Sequence, residues 1–121
     1  MDGNRYIIIL LADGGVEMRK LEAPDEPTLE QLQTLVGGHI EAIAAMLGVL
    51  IGNEEAKIYE LPYNVHATAL MKNYGADCIC GDAVLCKPKG DTLTGFLHSH
   101  AEWIVNSLVE EPIERVPFPT E

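Results

Sequence analysis

The chain has 121 residues, of which 47% are hydrophobic, enough for one globular domain and too many for a disordered segment. Aspartate and glutamate number 19 against 8 lysines and arginines, so the formal net charge is -11. This acidity argues against direct nucleic-acid binding, which needs a basic face, and against binding to an anionic membrane surface.

The cysteine pattern and the short apolar runs favour a location in the cytoplasm. Cys78, Cys80 and Cys86 are odd in number and closely spaced, which makes a poor disulfide framework. The polar start of the chain does not resemble a secretory signal, and no apolar run approaches the roughly 20 residues of a membrane helix. We expect a cytoplasmic protein with a single domain over residues 1–111 and an extended tail over 112–121.

The first predicted elements are two strands joined by a tight turn. Residues 6–12 form a β-branched run without alternation, which is typical of a strand buried on both faces and therefore central in a sheet. Residues 13–15, Asp-Gly-Gly, are a strong hairpin turn. Residues 16–22 begin with an alternation that puts Val16 and Met18 on one face, which predicts a half-exposed second strand.

A short helix is predicted after a proline-containing loop. Thr28 and Gln31 have the spacing of a capping box, so the helix should begin there. Gly37 and Gly38 supply a left-handed stop. One apolar face is formed by Leu29, Leu32, Leu35 and Val36.

Residues 39–53 admit two interpretations. The alanine, glutamate, methionine and leucine residues of the first half favour a helix. Gly48 in the middle and the Val-Leu-Ile stretch after it favour strands instead. We predict a hairpin, with strands over 40–46 and 49–53 that turn at Leu47 and Gly48.

The next segments combine a turn, a helix and a bent strand. Residues 53–56 should form a turn, and 57–61 a short extended piece. Asn64 is placed to cap a helix over 65–74, which the following glycine closes. Residues 76–87 predict a strand pair or one bent strand.

Gly81 and Asp82 mark the bend or bulge of that strand, and a loop should follow over 88–91. Ser99 and Glu102 form a second capping box and open the last helix. The core side of that helix should be the pair Ile104 and Leu108, with Trp103 alongside. Together these elements predict an α+β fold, with a small mixed or antiparallel sheet of about five strands and two or three short helices.

Four segments carry a resemblance to a known family. They are Thr28 to Glu41, Asn53-Glu-Glu-Ala56, Leu61-Pro-Tyr-Asn64 with Ala67-Thr68, and Cys80-Gly-Asp-Ala-Val84. In that order and spacing they resemble the small family called domain of unknown function 3846. Members of that family turn up in phages, plasmids and other mobile elements of bacteria. The similarity covers roughly residues 5–87.

The resemblance implies a hairpin rather than a helix over residues 40–53, and it implies no activity. It also identifies one departure, because the family usually has glycine where this chain has Ala56. If that position required a positive φ, alanine would cost on the order of 1 kcal/mol. We therefore expect a different type of turn in this chain.

Residues with reactive or metal-binding side chains form no familiar signature. Cys78, Cys80 and Cys86, with His98 and His100, would be enough ligands for zinc, but their spacing differs from a C-x-x-C knuckle. Core packing explains the cysteines better, so we predict no metal and no cofactor. A histidine pair at a helix start is favourable for a weakly bound anion, although a cap with exposed histidines explains it better.

Catalysis is not supported by the sequence either. Ser99, Cys78 or Thr68 would each need one of four histidines as a base, and none of these lies in a G-x-S-x-G, P-loop or H-E-x-x-H motif. We predict a non-enzymatic protein with no catalytic residues.

Polar or glycine residues that flank regular elements are the best candidates for contact with a ligand or partner, because loops carry function more often than cores. Each also has a structural role in a helix stop, turn, cap or bulge. The candidates are Gly37, Gly38, His39, Asn53, Glu54, Asn64, Gly81 and Asp82.

The functional expectation is an acidic accessory protein of a phage or mobile element that binds another protein and forms homo-oligomers through its sheet edges. One alternative is a binder of a small anionic ligand such as a nucleotide. Another is an acidic DNA mimic, although a net charge of -11 spread over the whole surface falls short of the charge density of duplex DNA.

Overall fold

A computed structural model describes residues 3–22, 25–72 and 77–110. Seven strands form one antiparallel sheet in the order β2-β1-β5-β4-β3, with β6 paired to β5 and β7 paired to β1. The α+β class is confirmed, with two strands more than expected. The elements in chain order are β1 (Arg5–Leu10), β2 (Val16–Lys20), α1 (Leu29–Val36), β3 (Ile40–Ala44), β4 (Val49–Asn53), α2 (Val65–Leu70), β5 (Ala83–Lys89), β6 (Thr92–Thr94), β7 (Phe96–Leu97) and α3 (His98–Glu110).

The sheet is covered on both faces, and β1 lies inside it between β2 and β5. Ile8 and Leu10 pack with α2 and α3 on one face. Ile7 packs with α1 on the other face. Residues 7–10 are all buried, so the prediction of a central strand buried on both faces is confirmed.

Both predicted hairpins are present. Leu10 pairs with Val16 across the first turn, and Ala44 pairs with Val49 across the second. The helical alternative for residues 39–53 is therefore excluded. The bend at 46–48 and the β-branched residues of β4 prevail over the helix propensity of the first half.

Helix α1 begins and ends as predicted, but its apolar face is narrower. The Thr28 hydroxyl accepts a hydrogen bond from the Gln31 N–H at 3.0 Å. Gly37 ends the helix with φ 81°, and its N–H donates to the Gln33 carbonyl. Leu29 is exposed, and only Leu32 and Val36 are fully buried.

Other boundaries differ from the prediction. Residues 54–60 form successive turns rather than an extended piece, and Glu60 takes the left-handed φ of 55°. Ala56 is buried with no positive φ, so alanine carries no backbone strain there. Helix α2 ends at Leu70 rather than at residue 74.

The second half differs in three further ways. Strand β5 continues through Pro88 to Lys89, because β6 pairs with it where the sequence predicts a loop. Ser99 lies inside α3 and does not cap it, since the helix already begins at His98. Ile104 and Leu108 are buried as predicted, whereas Trp103 is exposed.

The predicted helix stop at Gly75 and the tail over 112–121 lie outside the described residues. None of the helices in the described ranges is long and apolar enough to cross a membrane.

Candidate functional site

An open groove of about 750 Å³ lies at one edge of the sheet. Strands β1 and β4 end at this edge, and β5 begins there, because β5 is antiparallel to both. The end of α1 and the segment around Leu61 complete the walls. Of the predicted contact residues, Gly37, Asn53, Gly81 and Asp82 line the groove.

Asn53 connects the end of β4 to the end of α1. Its amide Nδ2 donates to the Val36 carbonyl at 3.1 Å, and its Oδ1 accepts from the Glu55 N–H at 2.8 Å. The side chain is buried, so both bonds replace water that the backbone groups would otherwise need. Asn53 thus holds the helix end that forms one wall.

Gly38, His39 and Glu54 contribute less to the groove. A Cβ on Gly38 would lie 3.0 Å from Asn53 Nδ2, so this glycine leaves room for the Asn53 amide. His39 is exposed, and its carbonyl accepts a hydrogen bond from the Glu54 N–H at 2.8 Å. Glu54 lines a second cavity instead.

Asn64 is the most connected of the predicted residues. It is 0% exposed, and its Nδ2 donates to the carbonyls of Leu10 and Gly81 at 2.9 and 2.8 Å. Its Oδ1 caps α2 by accepting from the Ala67 N–H at 3.0 Å. Asn64 lies behind the groove and joins the two backbone segments that form its floor.

Gly81 and Asp82 form the bend before β5. Gly81 has φ 81°, and a Cβ there would lie 2.8 Å from Leu61 Cδ1. The Asp82 carboxylate accepts a hydrogen bond from the Ala12 N–H at 2.8 Å through Oδ1. Its second oxygen has no hydrogen-bond partner within the described residues.

The groove is apolar in its walls and acidic at its rim. Asp13 and Asp82 are its charged lining residues, and the part of the lining that is described contains no lysine or arginine. The carboxyl end of α1 adds a partial negative charge. The larger apolar side chains that line it are Leu11, Leu35, Val36, Tyr59 and Leu61, with Ala12 and Pro62 between them.

The structure does not bring the five candidate zinc ligands together. Cys86 is buried in the sheet under α1, whereas Cys78 and Cys80 line the second cavity. His98 packs edge-on against Tyr6, and His100 packs against Phe96. Within residues 3–22, 25–72 and 77–110, no three histidine, cysteine or acidic side chains are placed to hold a metal ion.

The three candidate nucleophiles also differ in setting. Thr68 Oγ1 is hydrogen-bonded to both the N–H and the carbonyl of Ile79, so it is part of the backbone framework. Ser99 is exposed in the first turn of α3. Cys78 is half-buried beside Cys80.

Local sequence patterns single out Asp82 but not the other residues that give the groove its charge and its apolar walls. They place Asp13 in a hairpin turn, and Tyr59 and Leu61 in an extended piece. The antiparallel order of β1, β5 and β4 brings the turn after β1 next to Gly81, but no local pattern encodes that order.

The fold and the groove define a small three-layered α+β protein with an open, acid-rimmed groove. Residues 6–118 match the sequence model of the family described as Domain of unknown function (DUF3846). The chain belongs to this family, and the match extends well past the 5–87 covered by the motifs. Comparison with curated proteins found no match, and comparison with solved structures found none either.

Proposed function

We propose that this protein acts without catalysis, by holding a segment of a partner protein in the groove. The observation that carries the proposal is the combination of apolar walls with two carboxylates and no basic side chain in the described lining. Such a lining is complementary to an apolar side chain next to a lysine or arginine. The net charge of -11 would also attract a basic partner over a longer range.

The turn over residues 54–60 supports a protein partner rather than a small ligand. It exposes Ile58 and Tyr59 at 75% and 64%, and Tyr63 follows at 51%. Tyrosine is enriched in protein interfaces, and clustered exposed apolar side chains beside a groove are typical of a contact surface. Tyr59 belongs both to this cluster and to the groove.

The distribution of charge argues against a nucleotide-type ligand and against a DNA mimic. An anionic ligand such as a nucleotide would meet Asp13, Asp82 and the negative end of α1. A DNA mimic needs acids gathered on one face, whereas Glu30 and Glu102 are exposed on α1 and α3, on opposite faces of the sheet. Origin from a phage or mobile element and self-association remain predictions.

Selection from a library of random peptides tests the proposal, because it does not require the partner to be identified first. Peptides that bind the wild-type protein should be enriched in a lysine or arginine beside a large apolar residue. The variant Asp13→Asn/Asp82→Asn removes both charges. It keeps the side-chain oxygens that accept from the Gly15 and Ala12 N–H groups.

We expect that variant to bind the selected peptides at least about tenfold more weakly, which corresponds to about 1.4 kcal/mol. The matched control is Glu30→Gln/Glu102→Gln, which removes the same charge from exposed sites outside the groove and should change affinity less than about twofold. Equal losses in the two variants would refute a site at the groove. If nucleotides raised the Tm, and raised it more in Asp13→Asn/Asp82→Asn than in the wild type, the anionic-ligand alternative would be favoured.

A further inference from the structure

Two cysteines outside the groove are held side by side at the protein surface. Cys78 and Cys80 flank Ile79 on an extended segment that bridges to Tyr63. Alternate side chains of extended backbone point to opposite faces, and Ile79 is buried. Both thiols therefore face the same side, where they are half-buried and line the second cavity, of about 330 Å³.

The position of the pair is fixed by its backbone. The Ile79 N–H donates to Thr68 Oγ1 at 2.9 Å, and the Ile79 carbonyl accepts from the Asn64 N–H at 2.8 Å. Both partners lie at α2, in the buried part of the protein. The backbone that carries the two thiols therefore cannot shift without breaking bonds to the core.

The electrostatics of the pair indicate direct interaction between the thiols. Burial raises the pKa of Cys80, and Cys78 raises it further through its charge and a hydrogen bond between the two side chains. Lys57 opposes this rise in the pKa of Cys80, because its ammonium group lies near the sulfurs, whereas the carboxylate of its partner Asp77 adds to the rise. A thiolate formed in this pair therefore has both a cation and a second thiol beside it.

We propose that Cys78 and Cys80 are a reactive dithiol that a small-molecule disulfide converts reversibly into an intramolecular disulfide. One thiolate attacks the small disulfide, whose sulfur–sulfur bond breaks, and the first small thiol leaves with a proton. The other cysteine loses its proton and attacks the protein sulfur of the mixed disulfide, which releases the second small thiol. Two electrons pass from the dithiol to the small disulfide.

The extended backbone makes this disulfide easy to reduce. Two residues of extended chain place the Cα atoms about 7 Å apart, at the upper limit of the separations that disulfides span. The anchors of Ile79 to Asn64 and Thr68 resist the bending that would shorten this distance. Strained, exposed disulfides are the labile ones, so the bond should form and break under mild conditions.

Cys86 provides an internal control. It is fully buried in β5, unlike the half-buried Cys78 and Cys80, so neither a disulfide nor an alkylating reagent can reach it in the folded protein. Burial also raises its pKa to about 12.

The test uses the full chain, incubated with oxidised glutathione at neutral pH, quenched in acid, then unfolded, alkylated and digested with a protease that cleaves before aspartate. Cleavage before Asp77, Asp82 and Asp91 places Cys78 and Cys80 in the peptide 77–81 and Cys86 in 82–90. We expect peptide 77–81 to be about 2 Da lighter than its reduced form and unalkylated. Peptide 82–90 should carry the alkyl group of a free thiol, and dithiothreitol should reverse the change in 77–81.

Two single variants serve as matched controls. Cys78→Ser and Cys80→Ser should each keep one glutathione on the remaining cysteine, since no second thiol is present to displace it. Three outcomes with the wild-type protein would each overturn the proposal. They are a fully reduced peptide 77–81, a glutathione on each of its cysteines, and a disulfide that joins it to peptide 82–90.

Discussion

Asn64 provides the sharpest test of how this fold is held together, through the variant Asn64→Ala. The side chain is fully buried and makes three hydrogen bonds, one as a helix cap and two as a donor to the carbonyls of Leu10 and Gly81. Loss of a cap costs about 1 kcal/mol, and loss of each buried amide–carbonyl bond costs about 1 kcal/mol more. We expect a total loss of about 3 kcal/mol in the free energy of unfolding.

Thr28→Ala is the matched control, because the Thr28 hydroxyl also caps a helix, through the Gln31 N–H, but does so at the protein surface. Its cost should be about 1 kcal/mol. Asn64→Asp separates the two roles of Asn64, since aspartate is a good cap but cannot donate to the two carbonyls.

Urea unfolding followed by circular dichroism measures all three variants, provided that the slope with denaturant stays constant. Thr28→Ala should lower the free energy of unfolding much less than Asn64→Ala does. Asn64→Asp should lower it at least as much as Asn64→Ala, because aspartate also buries a charge. If Asn64→Ala or Asn64→Asp costs no more than Thr28→Ala, the two carbonyl bonds contribute nothing and the reasoning is wrong.

Two further predictions concern the backbone and the buried thiol. Gly37 and Gly81 share a φ of 81°, but only a Cβ on Gly81 would contact Leu61. In a urea titration, Gly37→Ala should lower the free energy of unfolding by about 1 kcal/mol, and Gly81→Ala should lower it by at least about 1 kcal/mol more. Equal losses would show that contact with Leu61 contributes nothing. The pKa of Cys86 is raised by burial from 9.0 to about 12, so between these pH values the unfolded chain releases a proton that the folded chain keeps. The free energy of unfolding should therefore fall with pH in that window, by up to about 1.4 kcal/mol per pH unit from this group, and Cys86→Ala should show a shallower fall than wild type. Identical slopes would show that Cys86 ionises freely in the fold.

The elements that the sequence predicts well are those with a strong local signal. Strand β1 is a β-branched run, α1 has a threonine cap and a glycine stop, and the turn at 13–15 has the composition of a hairpin. In these segments propensity, periodicity and turn chemistry favour the same local structure, and the tertiary contacts favour it too. The α+β class follows from them.

The elements that it predicts poorly depend on partners distant in the chain or on bonds that no composition signal marks. Strand β6 exists because residues 92–94 pair with the end of β5, and that pairing keeps Pro88 in the strand. Residues 54–60 turn because Leu61 and Ala56 are hydrogen-bonded across them. Local propensity registers neither pairing, so it favours a loop in one case and an extended piece in the other.

The groove also combines residues that the sequence predicts with residues that only the fold brings together. Asn53 and Asn64 are candidates in the sequence because they flank predicted elements, and in the structure both satisfy backbone carbonyls at element ends. Chain ends that meet at one sheet edge need such donors, and amide side chains supply them without charge. The charged side chains that line the groove at this edge are Asp13 and Asp82. Neutral amides therefore hold the shape of the groove while carboxylates set its preference, so substitutions at the asparagines should lower stability, and those at the aspartates should change which peptides bind.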